Sequence, residues 1–183
     1  MDLMRIVLAL FNFLAFEAAW LAAVTGGAAG RGTLMSLAVV AVVAIHLALN
    51  RVRLRSELLL ILAVTVFGVL IEAGFMGAGL IRYAGTAEGQ MLPPIWIAAL
   101  WFGFATLPSA SLAWLKGRWR LQVLLGGLFG PLTYWGGEKL GAATIPDGGG
   151  ALFAIGVAWA LALPAIFLMA EALSTVPARR TAA

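Results

Sequence analysis

Glu17 and Glu72 each stand inside a run of apolar residues long enough to cross a membrane as a helix. An ionisable side chain at the bilayer centre costs about 2.5 kcal/mol or more, so such groups are rare and face a partner, a cavity or a working site. A carboxyl placed there can anchor a polar ligand, move a proton as general acid or base, or hold neighbouring helices by accepting hydrogen bonds. The last use is a weak reason to keep two, because interhelical bonds in membranes average only about 0.6 kcal/mol. Tyr134 and Glu138 share one face of a later segment and add a phenol and a third carboxyl, although Glu138, beside Lys139, could simply be solvated. Trp101 and Trp20, the latter three residues after Glu17, offer apolar walls, and Asn12 a neutral amide. Glu72, Glu17, Tyr134, Trp101, Trp20, Asn12 and Glu138 are therefore the candidate ligand-binding residues, and no residue is assigned as catalytic.

Other chemistry is excluded by what the chain lacks. His46 is the single histidine and cysteine is absent. That removes multi-histidine di-iron sites, HExxH zinc sites, thiolate metal sites, disulfides and cysteine nucleophiles. There is no GxSxG elbow, P-loop or dinucleotide fingerprint, and Asp147-Gly-Gly-Gly is a turn signal rather than a nucleotide loop. Neither a metal nor a cofactor is expected. His46, close to Arg51, reads as an interfacial histidine with its bonds satisfied. The net charge of +4 does not indicate nucleic acid, because the basic residues are spread over short connections.

The elements that must position these groups are membrane helices. The chain is 63% hydrophobic and 11% charged, against about 45–50% and 25% in soluble domains. Six segments approach the ~20 residues needed to span a ~30 Å hydrocarbon core: 4–25, 33–50, 58–82, 94–115, 121–141 and 150–172. The connections are short and rich in Gly, Pro or charge, so residues 1–183 form one domain, an all-α polytopic bundle of six transmembrane helices. With the N-terminus inside, Arg5, Arg51, Arg53, Arg55, Lys116, Arg118, Arg120, Arg179 and Arg180 lie on the inner side, and Arg31, Arg82 and Lys139 on the outer. This asymmetry obeys the positive-inside rule and predicts both termini in the cytoplasm. The first segment reads as a retained helix rather than a signal peptide, because it holds Asn12 and Glu17 and only Arg5, offset by Asp2, precedes it.

Helical rise puts Glu17 roughly 18 Å, Glu72 roughly 21 Å and Tyr134 about 20 Å above the inner ends of their segments. Trp101 falls about 10 Å below the outer end of its own, so the four share a layer. On the third segment Thr65, Gly68, Glu72 and Gly79 share a face. Small residues mark close helix approach, so that face should look into the bundle. Gly126 and Gly130 form a small-xxx-small pair on the fifth segment, beside the Pro131, Tyr134 and Glu138 face. These faces could converge on one polar pocket open to the outer side. Trp96, Trp114 and Trp119 read as interfacial anchors, while Trp20, Trp101 and Trp135 lie deeper or beside the polar layer. Pro108, Pro131 and Pro164 should each kink a segment. The Arg51 and Lys116 basic runs suit anionic lipid headgroups, although topology already accounts for them.

Four stretches carry a resemblance over nearly the whole chain. They are Asn12-Phe-Leu-Ala-Phe-Glu-Ala-Ala-Trp20, Glu72 with Gly74 and Gly77, Pro94-Ile-Trp-Ile-Ala-Ala-Leu-Trp101-Phe-Gly-Phe-Ala-Thr106 and Gly130-Pro-Leu-Thr-Tyr134-Trp-Gly-Gly-Glu-Lys-Leu-Gly141. In combination they resemble a group of bacterial inner-membrane proteins, the domain-of-unknown-function family 2878. The resemblance implies a small multi-pass protein whose genes often lie near those of lipid-modifying enzymes. This sequence departs from the resembled pattern at two positions, since an amide is usual where Glu17 stands and an aspartate where Glu72 stands. The sequence thus leads to an expected protein of the bacterial inner membrane that binds or moves a lipid-like or small amphiphilic molecule. Glu72 would be its anchor and Glu17 a second polar group. Two alternatives stand beside it: a membrane enzyme acting on lipid through Glu72, and a non-catalytic subunit that stabilises another membrane protein through its glycine faces; a homo-oligomer is also left open.

Overall fold

In hydrocarbon a single segment can pair all its backbone groups only as a helix, and the apolar runs fold accordingly. The computed structural model describes residues 3–174; Asp2, Arg179, Arg180 and the two chain ends lie outside the described residues. The helices are α1 (Leu3–Ala28), α2 (Gly32–Met35), α3 (Leu37–Leu49), α4 (Leu54–Gly77), α5 (Ile95–Phe104), α6 (Trp119–Lys139) and α7 (Gly149–Ser174). Among the described residues four stretches are long and apolar enough to cross a membrane: Leu3–Ala28, Gly32–Leu49, Arg51–Gly77 and Gly149–Ser174. The protein is a multi-pass helical membrane bundle, with four such helices where the sequence leads one to expect six.

The other two segments differ for identifiable reasons. α6 has 21 residues, about 31 Å of helix, but its glycines and Arg120, Glu138 and Lys139 dilute its apolar character. The 94–115 segment is not one helix. α5 stops at Phe104 and two short 3-10 turns follow, Leu107–Ser109 and Ala113–Leu115. Pro108 supplies no N–H and disfavours helical backbone at the residue before it. Pro131 and Pro164, by contrast, lie inside α6 and α7, which continue through them. The 58–82 expectation also runs too far, because α4 ends at Gly77 and Gly79 adopts φ +69° in the turn beyond. Gly79 therefore ends the helix instead of extending its inner face. All-α holds apart from one small ladder, in which β1 (Arg82–Tyr83) pairs antiparallel with β2 (Ala143–Thr144), Tyr83 opposite Ala143.

α6 packs along α7, α4 against α5 and α7, and α1 and α3 against α5. Glycines and tryptophans interlock at three of these contacts. A Cβ at Gly68 of α4 would run into the Trp101 indole of α5. One at Gly126 or Gly130 of α6 would strike the backbone or ring of Trp159 on α7, and one at Gly27 or Gly32 would strike Trp96. Trp96 is consequently buried, at 5% exposure, and is not the interfacial anchor its position suggests. Trp114 and Trp119 are exposed, with Arg118 and Arg120 over their rings.

Candidate functional site

Glu72 sits five residues before the end of α4, about 7.5 Å below it, and is 3% exposed. Oε1 accepts from the Tyr134 hydroxyl of α6 at 2.6 Å and from the Trp101 Nε1–H of α5 at 2.9 Å. Oε2 accepts from the Tyr83 hydroxyl of β1 at 2.5 Å. Trp159 of α7 donates its own Nε1–H to the Tyr134 oxygen at 3.3 Å and stacks on Trp101, centroids 5.0 Å apart. Phe75 meets the Tyr134 ring edge-on and Trp96 meets Tyr83 likewise. One carboxyl thus ties together α4, α5, α6 and the β1–β2 ladder, with α7 attached through Trp159. Burial first, and then the Glu72 carboxyl, push the Tyr83 phenol well above the ordinary tyrosine value, which keeps it a donor.

The expected convergence of Glu72, Tyr134 and Trp101 is present. The other candidates lie elsewhere. Glu17 is exposed on α1 and, among the described residues, forms no hydrogen bond or ion pair. Trp20 packs on α6, where a Cβ on Gly136 would stand 3.8 Å from its ring. Glu138 accepts the Ile145 backbone N–H at 2.9 Å and so shapes the turn after β2. Asn12 belongs to a separate polar cluster. Its amide donates to Thr106 Oγ1 at 3.1 Å and accepts from the Ser111 hydroxyl at 2.8 Å. These bonds bracket the break after α5, where non-helical backbone at membrane depth is tolerated only if buried in protein. Beside them His46 Nε2 lies 3.0 Å from Glu57 Oε2, and Ser109 donates to the same oxygen at 2.8 Å. His46 is satisfied, as its sequence position suggests, by Glu57 in the first turn of α4, one residue before the expected third segment begins.

Tyr83 and Trp159 are the site residues that sequence reasoning missed. Tyr83 falls outside every apolar segment, yet the chain has just 2 tyrosines and both reach Glu72. For Trp159 the signal was indirect, since the Gly126–Gly130 pair leaves room for a large side chain opposite.

Glu72 lines neither of two pockets found among the described residues. A pocket of about 210 Å³ lies at the β1 end of the bundle, bordered by Met76, Arg82, Thr86, Gln90 and Met91. Met76 is one turn along α4 from Glu72, but none of the expected ligand-binding residues lines this pocket. Arg82 is the sole ionisable group in that lining, and among the described residues no carboxylate pairs with it. The Gln90 side chain is used internally, bridging the Ala87 N–H and the Leu92 carbonyl.

Buried carboxyl, aromatic cage and apolar helices together define a polytopic membrane protein with a closed polar centre near one end. The family model described as Protein of unknown function (DUF2878) matches residues 9–165, and the chain belongs to that family. No curated protein and no solved structure matched.

Proposed function

We propose that the protein lies in the bacterial inner membrane with six crossings and both termini cytoplasmic, and binds or moves a lipid-like amphiphile at its outer end. The observation that carries this reading is the 210 Å³ pocket lined by Met76, Met91 and Arg82, which pairs with no carboxylate among the described residues. Sites that bury whole drug-sized ligands occupy about 300–1,000 Å³. The pocket therefore suits a headgroup, with the tail left in the bilayer, and the cation favours an acidic headgroup. Glu72 acts one layer below. Its bond to Tyr83 holds the β1 strand, and Arg82 with it, against the bundle. Nothing specific favours the reading of Glu72 as an acid or base, since three of about four acceptor sites on its carboxylate are already filled.

Native mass spectrometry of the protein purified in mild detergent tests this. Arg82→Ala should lower occupancy by a co-purifying acidic lipid roughly fivefold, at about 1 kcal/mol per basic residue. Glu72→Gln should lower it less. Unchanged lipid profiles in both variants would overturn the proposal.

A further inference from the structure

α1 carries a stripe that the bundle leaves uncovered. Leu3, Val7, Leu10, Leu14, Glu17 and Leu21 recur at alternating steps of four and three residues, and all are exposed. A repeat of this kind is the seam of a left-handed coiled coil. It is about 27 Å long, close to the ~30 Å thickness of the hydrocarbon core. In lipid the leucines alone gain little by meeting, because acyl tails are as apolar as they are. Glu17 supplies what they lack. It lies about 21 Å from the start of α1 and about 16 Å from its end, so its short side chain reaches neither surface. Among the described residues it has no bonding partner.

We propose that the partner is a second copy of this chain, with the two α1 helices parallel about a two-fold axis normal to the membrane. Copies inserted by one rule share one orientation, so every seam position on such an axis meets its own counterpart. A carboxylic acid is both donor and acceptor, and Glu17 therefore satisfies Glu17. One polar residue at a seam position also fixes register and oligomer state. The stripe ends at Val24, the next seam position, which turns into the core of its own bundle at 3% exposure.

The chain has no cysteine, so single cysteines report directly by oxidative cross-linking in native membranes. Leu14→Cys and Leu21→Cys should give disulfide-linked dimers. Phe11→Cys, exposed but off the seam, should give several-fold less. In the Leu14→Cys background Glu17→Gln should keep the cross-link, since an amide also donates and accepts. Glu17→Leu should lower the cross-linked fraction about threefold, the scale of one interhelical hydrogen bond. These positions face away from the core, so the variants leave the bundle intact. Equal cross-linking at 11 and 14, monomer alone, a cross-link from position 14 to a different protein, or no effect of Glu17→Leu would each overturn the proposal.

Discussion

Two glutamates with the same sequence signal end in opposite environments, and the difference lies in what fixes the rotation of each helix. On α4, Gly68 stands one turn from Glu72 and admits the Trp101 indole, so that face must turn inward. α1 has no comparable glycine near Glu17, and its apolar residues run all round, so its sequence leaves the direction of Glu17 open. Tyr83 was illegible for another reason: it is brought to Glu72 by a loop that no periodicity describes. The consequence at Glu72 is testable. Glu72→Leu leaves the Tyr83, Tyr134 and Trp101 donors buried without an acceptor, at about 1–3 kcal/mol for each that finds no new partner. Partial rescue by neighbours brings the expected loss to roughly 2–4 kcal/mol. Glu72→Gln keeps one carbonyl acceptor, and its NH₂ can donate to a reoriented tyrosine hydroxyl, so about 1 kcal/mol is expected. Denaturant unfolding in micelles, followed by tryptophan fluorescence, separates the two. Equal stability of Leu and wild type would show that the cage contributes no net stability.

Helices in this protein are positioned more by where they admit a tryptophan than by where they are polar. The glycine pair on α6 was legible as a close-contact face, but not the residue filling it, because Trp159 comes from an otherwise uniform apolar helix. The break after α5 was half legible. Pro108 marks it in the sequence, whereas its satisfaction by Asn12 depends on a pairing 94 residues apart. Gly68 and Gly74 on α4 provide an internal comparison. A Cβ at Gly68 meets an indole already held by Glu72 and by stacking on Trp159, whereas one at Gly74 meets nothing within 4 Å. Gly68→Ala should therefore destabilise by about 1–3 kcal/mol through overpacking. Gly74→Ala should be neutral or stabilise by up to about 1 kcal/mol from helix propensity. The same unfolding measurement decides the matter, and a smaller effect at Gly68 than at Gly74 would contradict the interlock.

At the scale of the whole molecule, the number of crossings turns on whether the broken 94–115 segment and α6 traverse the membrane. If the four long apolar helices alone cross, everything between α4 and α7 stays on the side where α4 ends, Lys116 included. The packing argues for the other arrangement. β1 pairs with β2, which sets the connections after α4 and after α6 at one end of the bundle. Lys116, Arg53 and Ser174 instead border a small cavity beside Glu57, and Glu57 lies fifteen residues, or about 22 Å, along α4 from Glu72. The connection between α5 and α6 thus shares an end with the start of α4 and the end of α7, and the basic residues that the positive-inside rule assigns to the cytoplasm gather there. Single cysteines labelled by a membrane-impermeant maleimide test both the count and the orientation. Ala87→Cys and Asp147→Cys should react in intact cells, while Val52→Cys and Lys116→Cys should react only after permeabilisation. Reaction of Lys116→Cys together with Ala87→Cys in intact cells would reduce the crossings to four. Reaction of Val52→Cys and Lys116→Cys there, with Ala87→Cys protected, would keep six and invert the protein. The proposed headgroup pocket would then open to the cytoplasm instead of the outer side, because Arg82 and Ala87 lie on one loop and must share a side.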